Sequence, residues 1–332
     1  DNTTEGFNTV TYIGNGSTQK IGGVGFSPDL VWIKSRSNSY NHELYDSVRG
    51  VQKRLISNLT IAESTSTNGL KSFDSDGFTQ GGETETGGNG ASFVAWCWDA
   101  GSSTVSNVDG SITSSVRANP AYGFSVVTYT GNGTAGATIG HGLGAAPSMV
   151  ICKRRTTTGT NWETYHQALG NTGGLRLNST VATITSSALW NNTSPTSTVF
   201  TVGGGSGVNT STEDHLAYCF SEIAGYSKFG SYTGTGASGN AVTTGFKPAF
   251  VMIKRTDGVG NWVMVDATRS GTSDINYRLY ADLSDAEYTG VRYRFTDTGF
   301  ELLTTSTESN GSGGTYIYMA FKDTREYAFW LD

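Results

Sequence analysis

The chain has 332 residues, a formal net charge of -6 and 45 glycines, with 36% hydrophobic and 15% charged residues. No run of eighteen or more apolar residues occurs, which excludes a helix that inserts across a membrane. Asp and Glu outnumber Lys and Arg and no basic run appears, which argues against nucleic acid as a partner.

Leu, Glu, Lys and Ala are too sparse for long helices. Thr, Ser, Gly, Asn, Val and Tyr are abundant, the makeup of short strands joined by tight turns. The 11% aromatic content argues against disorder, since each ring can bury a large apolar area. No basic, apolar leader is visible. The chain begins abruptly at Asp1 and ends near a final strand at Trp330, as a fragment of a longer protein would.

In chain order, Tyr12-Ile-Gly-Asn-Gly16 reads as a strand running into a glycine turn. Pro28-Asp-Leu-Val-Trp-Ile-Lys34 reads as a strand buried on both faces, its proline at the start, where a missing N–H does no harm. Asn41-His42 through Asp46 follows, then Arg54 to Glu63, one of the few stretches with helical spacing. Val94-Ala-Trp-Cys-Trp98 closes the unit and is apolar throughout.

Each block then returns twice. Tyr129-Thr-Gly-Asn-Gly133 and Tyr232-Thr-Gly-Thr-Gly236 repeat the first; Pro147 to Lys153 and Pro248 to Lys254 repeat the second. Leu216-Ala-Tyr-Cys-Phe220 and Ile317-Tyr-Met-Ala-Phe321 repeat the last. Asn161-Trp162 through His166 and Asn261-Trp262 through Asp266 match the segment at His42, which stands in for the Trp of its register. Arg54-Leu55, Arg176-Leu177 and Arg278-Leu279 also recur. Asp76-Gly77-Phe78 returns as Asp297 to Phe300, while the middle copy reads Val199-Phe200.

Three blocks in one order at nearly constant spacing define three copies, at 1–118, 119–227 and 228–332. Gly101 to Asn119 reads as a linker and Gly225 to Lys228 as a shorter joint. Many short strands per copy predict an all-β chain of three tandem two-sheet β-sandwiches, each large enough to fold alone.

Cys97 and Cys219 share a register where the third copy has Ala320, and Cys152 stands where the others have Ile33 and Ile253. All three read as buried free thiols acting as small hydrophobes. Asp46 with Arg49 and Arg54, and Asp266 with Arg269 and Arg278, could form an acid–base site, but the middle copy has His166 and Leu169 there, so a structural ion pair is the expectation. Glycoside cleavage needs two close carboxylates, and Glu83-Thr-Glu85 sits in a Gly-rich loop with no apolar strand around it. No Gly-x-Ser-x-Gly elbow occurs, and His42, His141, His166 and His215 lack zinc spacing. Asp74-Ser-Asp76-Gly77 starts like a calcium loop but lacks the later ligands, so an Asx-type turn is the plainer reading; calcium is the one cofactor left open.

For a ligand, Trp190-Asn191-Asn192 places a Trp in a polar stretch with no counterpart in the other copies, which suits either a sugar platform or a contact between copies or subunits. Tyr40-Asn41 is a weaker version in the first copy, while Trp162 and Trp262 share a register and read as core.

Tyr12 to Gly16, Gly25 to Lys34, His42 to Gly50 and Phe93 to Trp98 together resemble a domain of tailed-phage virion proteins. They likewise resemble the concanavalin-like lectin/glucanase sandwich family of tail fibres and surface appendages. The likeness fades in the later copies, where Asp46 and Arg49 become His166 and Leu169 before returning as Asp266 and Arg269. The resemblance implies a jelly-roll fold, display on the virion surface in the extracellular setting, binding of host-surface glycans and self-association, trimeric in such fibres. It carries over no catalytic residue. The leading expectation is a non-enzymatic virion surface protein, a fibre or decoration, with three lectin-like units strung along the chain for avidity. A ligand-free structural repeat contacting other virion proteins is its rival, and a glycan-degrading enzyme comes third.

Overall fold

The computed structural model describes residues 5–325; Trp330 lies outside them. Among the described residues the chain is all-β, built from antiparallel sheets with only single-turn helices between strands. The segment from Arg54 to Glu63, expected to be helical, is not: Lys53–Arg54 is a short strand, and Leu55 bridges to Leu44. Leu55 and Ile56 are both buried, so tertiary packing overrides the local helical spacing.

The same sheet pattern occurs three times. An opening strand pairs with the closing strand, which pairs with the second strand, which pairs with a third. In the first copy these are Phe7–Ile13, Ser92–Trp98, Leu30–Ser35 and Glu43–Asp46. In the second they are Phe124–Thr130, Asp214–Phe220, Met149–Arg154 and Glu163–His166. In the third they are Ser227–Thr233, Thr315–Lys322, Pro248–Arg255 and Val263–Asp266. A smaller sheet accompanies the first and second copies, for example Ala137–Gly140 with Val199–Val202, while in the third the remaining strands continue the main sheet.

Because strand side chains alternate faces, each closing strand serves two cores. Val94, Trp96 and Trp98 enter one apolar cluster, whereas Phe93, Ala95 and Cys97 enter another. Leu216, Tyr218 and Phe220 join the first cluster again, and so do Ile317, Met319 and Phe321. Ala217 and Cys219, and Tyr318 and Ala320, turn to cores belonging to their own copies. This double burial is why the closing block is apolar at every position.

One core therefore belongs to all three copies. They are not beads strung along the chain but sectors of a closed ring. Trp98, Phe220 and Phe321 are equivalent in register, opposite Leu30, Met149 and Phe250. Their ring centroids are 6.2, 6.1 and 5.9 Å apart, a near-equilateral triangle that marks the pseudo-threefold axis. Phe7 stacks on Phe321 at 5.1 Å, so the opening strand of the first copy meets the closing strand of the last. Rings at these spacings add attraction beyond the area they bury.

The expected linker is structured. Thr104–Asn107 and Ser114–Asn119 form a hairpin whose second arm pairs with Phe124–Thr130, extending the second copy's sheet. The residues just before the boundary at 118 thus hydrogen-bond to the copy after it.

The seams between copies repeat one set of bonds. Trp162 donates its indole N–H to the Ile56 carbonyl at 2.8 Å, and Trp262 to the Arg176 carbonyl at 2.9 Å. His42, in the same register, reaches the Tyr280 carbonyl at 2.8 Å. Its Nδ1 accepts from Trp32 Nε1, a group that can only donate, so Nε2 carries the proton. Backbone bonds cross the same seams in the opposite sense: Glu63 N donates to the Arg155 carbonyl, Thr183 N to that of Thr256, and Glu287 N to that of Arg36.

Candidate functional site

The Asp46 and Asp266 positions are seam elements. Asp46 accepts from Arg49 Nε at 2.5 Å, from the Arg49 backbone at 2.9 Å and from Tyr218 Oη of the second copy at 2.9 Å. Asp266 repeats this with Arg269 and, from the first copy, Trp96 Nε1 at 3.1 Å. Both pairs are fully buried, so they are structural ion pairs. In the third copy the donor position holds Met319, which has no N–H or O–H. The acceptor position facing it holds His166, whose Nε2 donates to the Tyr318 carbonyl at 3.1 Å while Nδ1 accepts from Ala168 N. The apparent loss of the Asp is thus a reversal of donor and acceptor. Burial lowers the His166 pKa to about 4.

The three cysteines are free and buried. In the Asp74–Gly77 turn, Asp74 accepts from Ser72 and Thr79, and Asp76 from the backbones of Gly23 and Gly25. Those bonds hold Asp76 below the usual carboxylate range.

The aromatic platform expected at Trp190 is not on the surface. Trp190 is only 2% exposed, packs edge-on to Tyr165 at 5.9 Å, and its Nε1 has no partner. It does have a counterpart: Gly205 N bonds to Ala188 O as Glu83 N bonds to Asn68 O, which puts Trp190 in the register of buried Leu70. Asn191 and Asn192 follow in left-handed conformation, φ 51 and 50°, the first half-buried and the second exposed.

Tyr40 and Asn41 are half-buried at the surface of the first copy. Tyr40 lines an open hollow of about 550 Å³ with Ser37, Asn38, Thr84 and Asn89 and the backbone of Gly88 to Ala91. Asn41 Nδ2 donates to Glu85 Oε1 at 3.1 Å, which ties the hollow to a carboxylate cluster that sequence reasoning set aside. Glu43, Glu83 and Glu85 lie within 4.8 Å of one another. Arg54 Nη1 sits among them, 2.8 Å from Glu43, 2.8 Å from Glu83 and 3.3 Å from Glu85. Tyr45 and Ser66 donate to Glu43 and Glu83. Burial, helped by neighbouring Glu85 and Glu83, raises the Glu43 pKa to about 8. Glu43 is closed off from solvent, while Glu83 and Glu85 are about a quarter exposed. The cluster holds the loop that forms one wall of the hollow. Glu83 and Glu85 were legible only as a pair in a loop; Glu43, 40 residues earlier, completes the group through strand pairing.

The structural register also corrects the Arg-Leu echo. Glu43, Glu163 and Val263 oppose Ile56, Arg176 and Tyr280, so Arg54 corresponds to Gly174 and Arg278, and Arg176 lies two residues further on.

A family model described as a domain of unknown function (DUF7483) matches residues 2–324, a span that runs through all three closing strands. No curated protein and no solved structure matches the chain.

Proposed function

The chain belongs to the DUF7483 family, and from its ring of three sheet-bearing copies we propose that it is a non-enzymatic surface protein of a virion that attaches to host-surface glycans. Each copy is, on this reading, a jelly-roll sandwich of the concanavalin-like kind. Its main sheet faces the shared core on one side and the copy's own core on the other.

The carrying observation is the hollow at Tyr40. Saccharides are recognised by an aromatic face together with amide and hydroxyl groups, and Tyr40, Asn38, Asn89, Ser37 and Thr84 supply those around one open depression. The wall is stiffened from behind by the Arg54–carboxylate cluster, which limits the ordering cost of binding. The three copies complete their central core within one chain, so self-association is not needed to bury it. A glycan-array screen of the protein and a Tyr40→Ala variant, with and without a calcium chelator, tests the reading. Binding lost in the variant supports it. No binding by the folded wild-type protein overturns it in favour of a structural fibre or shell component.

A further inference from the structure

The repeat lets surface positions of the third copy be compared with two others of the same strand pattern. Counted from Phe250, Leu30 and Met149, Lys247 stands where the earlier copies have Ser27 and Ala146. Counted from Phe321, Trp98 and Phe220, Arg325 stands where they have Ser102 and Ala224. Thr268 replaces Val48 and Ala168. Two cations and a hydroxyl thus occupy positions that are uncharged in the other copies, so the fold does not require them.

The three side chains converge. Asp323 N donates to the Lys247 carbonyl at 2.9 Å, which lays the segment carrying Arg325 beside Lys247. Arg325 donates from Nη1 to Thr268 Oγ1 at 3.1 Å, and from Nε and Nη2 to the Asp323 carboxylate at 2.8 and 2.6 Å. The Asp323 side chain is 3% exposed and that of Arg325 22%, so the guanidinium is held from its buried side and still reaches solvent. Lys247, Arg325 and Thr268 line an open hollow of about 340 Å³ with Thr272, Ser273 and the buried ring of Phe295. Gly271 ends the single-turn helix Ala267–Ser270 with φ 68°, and nothing lies within 4 Å of where its Cβ would stand, so this rim is open.

Among the described residues nothing pairs with the Lys247 ammonium and no carboxylate lines the hollow. With Asp323 set against Arg325, one positive charge is left uncompensated, in a chain whose formal net charge is -6. The volume lies at the lower end of the range for small-molecule sites, about 300–1,000 Å³. A carboxylate balances the single charge; a phosphate monoester, with about 1.5 to 2 negative charges at neutral pH, exceeds it.

We propose that this hollow is a second saccharide site, selective for acidic sugars. The carboxylate of a uronic acid seats against Lys247 Nζ, with the Arg325 guanidinium as second positive charge, and ring hydroxyls bond to Thr268, Thr272 and Ser273. This rests on the glycan-binding reading, but on another copy and another chemistry, since only uncharged side chains line the hollow at Tyr40. Arg325 is positioned in advance by Asp323, which limits the ordering needed on binding.

The test is a nuclear magnetic resonance titration of the ¹⁵N-labelled full chain, following the Gly271 and Thr272 amide signals. The probes are methyl β-glucuronide, methyl β-glucoside and inorganic phosphate. The glucuronide is expected to shift both signals saturably, in the wild type and in Tyr40→Ala alike, and to bind more weakly as salt is added. The glucoside should bind about tenfold more weakly or worse, the loss of one charge-assisted bond. Lys247→Gln should lose the same factor, and Lys247→Arg, which keeps the charge, should restore most of it. Thr272→Ala, at an exposed position, is the variant least able to disturb folding and should also weaken the glucuronide. Signals unmoved by the glucuronide overturn the proposal. So do equal affinity for the glucoside, tighter binding of phosphate, or undiminished binding by Lys247→Gln. If Tyr40→Ala loses array binding while the glucuronide never moves these signals, the first site stands and this one falls; a glucuronide response without Tyr40-dependent binding leaves this one standing alone.

Discussion

Tyr218 of the second copy donates its hydroxyl to Asp46 of the first at 2.9 Å, in the place where Trp96 of the first donates to Asp266 of the third. Removing the hydroxyl leaves a buried carboxylate one bond short. Tyr218→Phe should destabilise the protein by about 1–3 kcal/mol, measured by urea unfolding. A double-mutant cycle with Asp46→Asn should show coupling between the two, which a purely local effect of the phenol would not.

The shared core predicts cooperativity. Trp98, Phe220 and Phe321 are each no more than 2% exposed. Truncating any one to alanine should cost about 3–5 kcal/mol. Fluorescence and circular dichroism should report a single coincident unfolding transition for the whole chain. Three separate transitions would show that the copies stand alone and that the ring contributes little.

Acid should act at the seams. The His166 pKa is lowered to about 4 from an ordinary value of 6.5, first by burial. The unfolded chain binds the extra proton between those values, so this stability is present above pH 6.5 and is lost as the pH falls towards 4. The loss is roughly 3 kcal/mol for this residue. His42, equally buried, is shifted in the same direction. Glu43 acts oppositely: its raised pKa makes stability fall as the pH climbs from 4.5 to about 8. Melting temperature against pH should therefore peak in between, and His166→Gln should flatten the acid limb.

Trp190→Ala and Tyr40→Ala should separate by phenotype. The first removes a buried ring and should lower stability by about 3–5 kcal/mol. The second touches a half-buried surface side chain and should leave the melting temperature nearly unchanged while reducing glycan binding. Equal melting temperatures for the two variants would contradict the buried placement of Trp190.

The thiols offer a simple check. Burial raises the Cys152 pKa to about 12 and pushes Cys97 and Cys219 up as well. A thiol reagent should label none of the three in the native protein and all three after unfolding.

The all-β character and the repeated strand order were legible because hydrophobic blocks such as Val94 to Trp98 recur in fixed order. The seams were not, because their partners come from different copies: nothing near Trp162 in sequence announces Ile56, and His166 looks like a lost Asp until Met319 is placed opposite it. Trp190 was misread because the segment before it carries no repeated block, so only the backbone bonds of Gly205 and Glu83 reveal that it shares a register with Leu70. Arg176 was misaligned by two residues because a local Arg-Leu match outweighed strand pairing that sequence does not display. The carboxylate cluster escaped notice because its most buried member, Glu43, is distant in sequence from Glu83 and Glu85.

The reversal at His166 and Met319 gives the three sectors an address. A tyrosine facing an aspartate, a tryptophan facing an aspartate and a methionine facing a histidine are not interchangeable keys. Exchanging Asp46 and His166 would set the Tyr218 hydroxyl against an imidazole and leave Met319 opposite a charge with no donor. The order of sectors round the axis is thus written into side-chain chemistry as well as into the covalent chain. A sector borrowed from another molecule could settle in only one of the three berths.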